Sequence, residues 1–271
     1  MKKFPIALQL YSIRFEIGDD VEATLKSLKE MGYDGVELAG FCGKTPEEFK
    51  AICDRVGLTP ISAHVGYDDM VKNPEILKDY ATVGCKFVAI PALVGEYCVG
   101  RARHAEVVEG IHKIAAAAKE LGMKLCYHNH DFEFQTVQGE YALDILYKEC
   151  PPDVLQTELD LCWVNVGGEN PAEYLRKYKG RAEIVHFKDF AGKKSDKMYA
   201  LLGVNENEKP EANEEFEFRP LGQGLQNVKE LLAAAEDAET EWIIIEQDSP
   251  SKGKTAMQCV KEGVEYLRSI M

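Results

Sequence analysis

The stretch Leu125-Cys126-Tyr127-His128-Asn129-His130-Asp131-Phe132-Glu133-Phe134 begins as an apolar run and ends as a cluster of imidazole, amide and carboxylate groups. Residues 123–127, directly after Gly122, have the length and apolar character of a buried strand. Side chains alternate across a strand, so His128 and His130 project to the same side. Two imidazoles so placed can bind a divalent metal, hold a sugar hydroxyl or move a proton. A lone histidine at a strand end more often just hydrogen-bonds a backbone group. A pair of them followed by carboxylates asks for more. What decides the fold is that the same transition, apolar strand into polar end, recurs along the chain.

Working outward, residues 154–161 read as a strand carrying Glu158 and Asp160. Residues 184–188 carry His186 and Lys188, and residues 242–245 run into Glu246, Gln247 and Asp248. Toward the N-terminus, residues 5–11 carry Gln9 and Tyr11, residues 33–38 carry Glu37, residues 58–63 finish on His64, and residues 87–90 meet Pro91. Between these strands lie helical patterns. Val21, Leu25, Leu28 and Met31 keep helical spacing behind Asp19-Asp20, and Thr45-Pro46 opens the next helix with a capping residue and a first-turn proline. Further helices are expected over 74–83, 103–121, 141–148, 171–178, 225–235 and 255–270. Glycines stand just before strands at 32, 57, 84 and 122.

Eight strand–helix units with this punctuation imply parallel strands joined by right-handed crossovers. In 271 residues they give an α/β chain with a single (β/α)8 barrel domain over residues 1–271. The alternative, an open doubly wound sheet, usually has a glycine-rich phosphate turn after its first strand. Tyr11-Ser12-Ile13-Arg14 is no such turn. Residues 191–218 are polar, show no core pattern and are long for a connection, which marks an active-site loop insertion.

In a barrel, function sits where strands run into their following loops. Every strand but the fourth delivers a polar or ionisable group there. Asp160, His186 and Glu246 form an oxygen and nitrogen donor set without thiolate, suited to one divalent ion among Mn, Co, Mg, Fe and Zn. The competing reading is an ion-paired network in the barrel mouth. Glu246 follows three isoleucines, and a buried carboxylate there needs a compensating partner. Lys188 could stabilise an oxyanion or pair locally with Asp189. Trp163 could stack on a sugar ring or belong to the core. Gly222-Gln223-Gly224 could cradle an anion. Arg14 could face a charged substrate or the surface, and His104 and His112 read as structural.

Composition narrows the partners. A formal net charge of −14 argues against a nucleic-acid surface and gives no reason to expect attachment to anionic membrane. No apolar run approaches the roughly 20 residues that span a bilayer, and the N-terminus lacks the features of a signal peptide. The eight cysteines form no CxxC pattern and read as reduced thiols of a cytoplasmic protein. A homo-oligomer is left open.

Taken together, Leu8-Gln9-Leu10-Tyr11-Ser12-Ile13-Arg14, Gly32-Tyr33-Asp34-Gly35-Val36-Glu37, the stretch from Tyr127 to Phe134, Glu158-Leu159-Asp160-Leu161-Cys162-Trp163, His186-Phe187-Lys188-Asp189 and Glu246-Gln247-Asp248 resemble the xylose isomerase-like barrels of the sugar phosphate isomerase/epimerase superfamily. The resemblance spans almost the whole chain in the right order. It implies one divalent metal at the ends of the last four strands and proton abstraction next to a carbonyl. Asp160, His186 and Glu246 carry over as ligands. Ketose 3-epimerases place a glutamate where this chain has His128, so the fourth ligand is either His128 or Glu133 folding back from the loop. Glu133 is the favoured choice, which leaves His130 as base with Glu246 and His64 in acid/base work. Glu37, Lys188, Trp163 and Asn129 are expected to position substrate.

The His-Asn-His form resembles the branch with inosose dehydratase and enzymes acting on 3-keto-glycosides. The expected activity is isomerisation or epimerisation of a small sugar or keto-sugar, with elimination as the alternative. A non-enzymatic sugar-binding protein and an abasic-site endonuclease rank lower. The latter would need more ligands and a basic surface.

Overall fold

The computed structural model describes residues 2–193 and 216–271. Eight strands close into a parallel barrel in sequence order: β1 (Ile6–Gln9), β2 (Gly35–Leu38), β3 (Thr59–His64), β4 (Phe87–Ile90), β5 (Lys124–His128), β6 (Gln156–Asp160), β7 (Ile184–Phe187) and β8 (Trp242–Ile245). Closure is made by β1 against β8, with Ile6 opposite Ile243 and Leu8 opposite Ile245. Each expected strand is present within two residues of its expected ends.

The helices form where the sequence supplies caps. Asp20 accepts the Ala23 N–H at the start of the helix Val21–Met31, and Thr45 and Glu48 make a reciprocal capping box on Pro46–Val56. Gly32 and Gly57 end these helices in the left-handed region, at φ 108° and 77°, a conformation that costs glycine little. Two short helices fell outside the expected set, Tyr67–Lys72 and Leu161–Val166. The second is started by Asp160, whose Oδ1 accepts the N–H groups of Cys162 and Trp163.

The main apolar core lies between strands and helices, while a smaller one of Ala7, Ile61, Phe87, Ala89, Cys126, Ile184 and Ile244 fills the barrel axis. Four of these axial residues fix the site above them by simple alternation. Two positions beyond Ala7, Cys126, Ile184 and Ile244 stand Gln9, His128, His186 and Glu246. The lower layer of the barrel is thus apolar and the upper layer, toward the strand C-termini, is polar.

The expectation of a patternless loop over 191–218 needs correction at both ends. Asp189–Gly192 and Phe216–Arg219 pair as an antiparallel ladder, and Phe190, Phe216 and Phe218 are buried with Cys162 and Trp163. Alternation in Phe216-Glu217-Phe218 carries this pairing. The remainder of that stretch, 194–215, lies outside the described residues. All eight cysteines are free. Among the described residues no helix is long and apolar enough to cross a membrane.

Candidate functional site

At the C-terminal end of the barrel, β5 to β8 bring His128, Asp160, His186 and Glu246 together, with one donor atom from each within 4.8 Å of the others. All four are buried. His128 Nε2 lies 3.8 Å from Asp160 Oδ2 and 3.9 Å from Glu246 Oε2, and His186 Nδ1 lies 3.1 Å from Glu246 Oε2. Asp160 divides its work: Oδ1 caps the helix that follows, while buried Oδ2 accepts no hydrogen bond. A carboxylate oxygen outside any hydrogen bond, facing two imidazoles and a second carboxylate, is the donor chemistry that a divalent ion takes. The residues present fit such an ion.

A second group, His64, His128, Glu158 and His186, meets the same distance test. Within it His128 Nδ1 and Glu158 Oε1 make no hydrogen bond, while other atoms are engaged. Glu158 Oε2 is 2.7 Å from His64 Nε2, and His186 Nε2 is 2.8 Å from Glu37 Oε1. This lower tier works as a support. Glu37 accepts from Gln9 Nε2 and Ser62 Oγ, both at 2.5 Å, and so holds the ring of His186 from behind. Burial pushes the Glu37 carboxyl up, but the charges of His64 and His186 outweigh it and hold it at about 2. Glu158, buried beside that same Glu37 charge, is pushed up to about 7.

The structure sorts the remaining expected site residues. Glu133 does not fold back to the donor group. Its Oε1 accepts the Tyr127 O–H at 2.5 Å and its Oε2 accepts the His130 N–H at 2.8 Å, because the single turn Phe132–Phe134 points the side chain back at β5. Burial raises it to about 8 against those two hydrogen bonds. His128, and not Glu133, stands with Asp160, His186 and Glu246 in the donor group. Asn129 is fully buried and faces Asp160, accepting that residue's N–H at 3.1 Å and donating to its carbonyl at 3.4 Å. Glu37 and Trp163 are equally buried and do not line the cavity. Trp163 packs beside His130 and Phe218 and lies under the Lys188 ammonium, 5.1 Å from its ring centre.

Lys188 is 1 % exposed and pairs with three carboxylates, from Asp160, Glu246 and Asp248, and not with neighbouring Asp189. Burial would lower its ammonium, but those charges raise it well above the ordinary lysine range. The Gly222-Gln223-Gly224 turn does cradle an anion, and the anion is Asp189, which accepts the N–H groups of Gly222, Gly224, Gln226 and Phe190. Arg14 stacks on Tyr11 and donates to the carbonyls of Tyr11 and Asp248.

Over this floor opens a cavity of about 360 Å³. Tyr11, Pro91, Val94 and Phe132 form its apolar wall, and His64, His128, His130, Glu246 and Asp248 its polar side. His130 stacks on Phe132 with ring centres 5.2 Å apart, and its Nδ1 has no hydrogen bond. Burial, followed by the charge of Lys188, pushes His130 down to about 3, so its ring is neutral. His64 is half-buried; desolvation lowers it, but the charges of Glu37 and Glu158 outweigh this and raise it. Asp248 is raised by burial to about 6, against the pull of Lys188. Sequence reading named Asp248 and Glu158 as strand-end groups without giving either a role, and it passed over Ser62, which no local pattern distinguishes.

The fold and site define a (β/α)8 barrel with a buried carboxylate–imidazole centre at the catalytic end of its strands. The sequence profile of the xylose isomerase-like TIM barrels matches residues 25–270, and the chain belongs to that family. It is 26 % identical over 191 residues to an inosose dehydratase of Geobacillus kaustophilus, a match covering 62 % of this chain and 61 % of that protein. The chain thus spans under two thirds of the length of such curated relatives. A sugar phosphate isomerase/epimerase of Parabacteroides distasonis superposes with TM-score 0.77 at 23 % identity, covering 99 % of this chain and 95 % of the other. The 3-keto-D-glucoside 4-epimerase of E. coli gives 0.72 at 17 %, covering 98 % and 100 %. At these identities the two structures speak to the fold.

Proposed function

We propose that the protein is a divalent-metal-dependent enzyme that removes a proton next to the carbonyl of a small keto-sugar, leading to isomerisation or epimerisation. The observation that carries the reading is the donor group of His128, Asp160, His186 and Glu246 adjoining a cavity lined by two further histidines. An ion held by those four residues would polarise the ketone and ease negative charge onto its oxygen. Glu37 and Asn129 keep His186 and Asp160 aimed at the ion. The ring of His130, fixed against Phe132 and Trp163, is placed to accept the α-proton. His64, across the cavity between Glu37 and Glu158, is placed to return a proton to the other face or to a leaving group. Tyr11, Val94 and Phe132 exclude water from one side of the sugar. Loss of a β-hydroxyl in place of reprotonation gives a dehydration, and the inosose dehydratase relatives favour that second outcome.

The test is incubation of the Mn²⁺-loaded protein with cyclic and open-chain keto-sugars in D₂O. Deuterium entering at the carbon next to the carbonyl, seen by NMR and lost in His130→Ala, supports proton abstraction. Recovery of an epimer or isomer identifies reprotonation, and an absorbing enone identifies dehydration. No exchange with any ketone, by protein shown to carry the ion, would refute the reading.

A further inference from the structure

Lys188 occupies a place that the proposed chemistry does not account for. Its Nζ lies 3.0 Å from Asp160 Oδ2 and 2.8 Å from Glu246 Oε2, and both residues belong to the donor group. The third contact, 3.0 Å to Asp248 Oδ2, is a well-aligned hydrogen bond, whereas Asp160 Oδ2 has no aligned partner despite the nearby ammonium. The lysine is thus tethered directionally to Asp248 and lends only charge to the two ligands. Resting on the metal reading above, we infer that Lys188 is the resident cation of the ion-free centre, and that an entering ion takes Asp160 and Glu246 from it while Asp248 retains it.

Charge accounting supports the exchange. Ionised carboxylates buried without a counter-charge are strongly unfavourable, so a fold that carries three of them needs a cation before any ion arrives. With the ion bound and His186 a neutral ligand, Asp160, Glu246 and Asp248 face one ammonium and one dication, and the charges balance. The displaced ammonium still has Asp248, and the rings of Trp163 and Phe218 at 5.1 and 5.5 Å give it an electron-rich shelf. Lys188 then acts in two opposite directions. It stabilises the empty protein, and as a like charge a few ångströms away it weakens the hold on the ion. A lysine with a purely structural role would support both states.

The experiment compares wild type, Lys188→Met and Lys188→Arg with Mn²⁺ as probe. Release of Mn²⁺ from loaded protein to a chelator is followed alongside thermal melting of the ion-free forms. Lys188→Met is expected to release Mn²⁺ at least tenfold more slowly, to melt lower when ion-free and to gain more from added Mn²⁺ than wild type does. Lys188→Arg, which keeps the charge, is expected to release at the wild-type rate or faster. Because release starts from loaded protein, the comparison holds even if ion-free Lys188→Met does not fold. Release from Lys188→Met as fast as from wild type, or equal slowing in both variants, overturns the inference alone. A wild type that holds no Mn²⁺ overturns the metal reading and this inference with it.

Discussion

Replacing Glu133 by glutamine should make stability less sensitive to pH while leaving ion binding intact. Glu133 is buried between Tyr127 and the His130 N–H and is raised from an ordinary 4.5 to about 8. The native state therefore holds a proton that the unfolded chain releases above about pH 4.5. Between those two values the native protein binds more protons than the unfolded one, so stability falls as pH rises, with a limiting slope of about 1.4 kcal/mol per unit. Over 3.5 units the ceiling is about 5 kcal/mol, and relaxation around the carboxylate would leave a few kcal/mol of it. Below that window the group contributes nothing, and above it the penalty is constant.

Glutamine has nearly the same shape and keeps an acceptor for the His130 N–H, so the variant should lose this pH dependence and little else. Urea unfolding of both proteins from pH 4.5 to 9 would measure it, and taking the difference cancels the contributions of Glu158 and Asp248. The variant should be close to wild type at pH 5 and more stable by a few kcal/mol at pH 8.5. A difference that stays flat with pH would refute the buried, proton-holding Glu133. Loss of the bound ion in the same variant would restore it as a ligand.

Other parts of the structure give sharp expectations. Asp189→Ala leaves four buried or half-buried N–H groups without their acceptor and should destabilise the protein by about 3 kcal/mol. Unchanged urea stability would contradict the cradle. At Gly110 an added methyl would meet Tyr67 Oη, so Gly110→Ala should cost about 1–3 kcal/mol in urea unfolding. Tyr67→Phe in the same chain should recover part of that, and no recovery would place the strain elsewhere. Asn129→Ala frees the backbone around Asp160 and should weaken Mn²⁺ binding by about 10- to 100-fold in calorimetry with the fold retained by circular dichroism. Affinity unchanged in that variant would deny Asn129 its positioning role.

The barrel was legible because its signals are local. Residues such as Asp20, Thr45, Gly32 and Gly57 mark helix ends by backbone chemistry that neighbours in sequence decide. The upper polar layer was legible through strand periodicity, since Gln9, His128, His186 and Glu246 each stand two residues beyond an apolar axial residue. What could not be read depends on contacts between distant strands or on loop geometry. Glu133 follows β5 closely enough to look like a ligand, yet one short turn sends its carboxylate to Tyr127. Lys188 looks like a substrate contact until three carboxylates, one on β6 and two beyond β8, are seen to enclose it. The glycine turn at 222–224 does bind an anion, and only the tertiary fold shows that the anion is the chain's own Asp189. Phe216 and Phe218 carry an alternation that polar surroundings in the sequence obscure.

The most direct test of the metal centre is the ion content of the purified protein, measured by elemental analysis after incubation with Mn, Co, Mg, Fe or Zn, for wild type and for His186→Ala. The account predicts close to one ion per chain in the wild type and its loss in His186→Ala while circular dichroism shows the barrel intact. A wild type that takes up none of these ions, or a His186→Ala variant that keeps its ion, would contradict it.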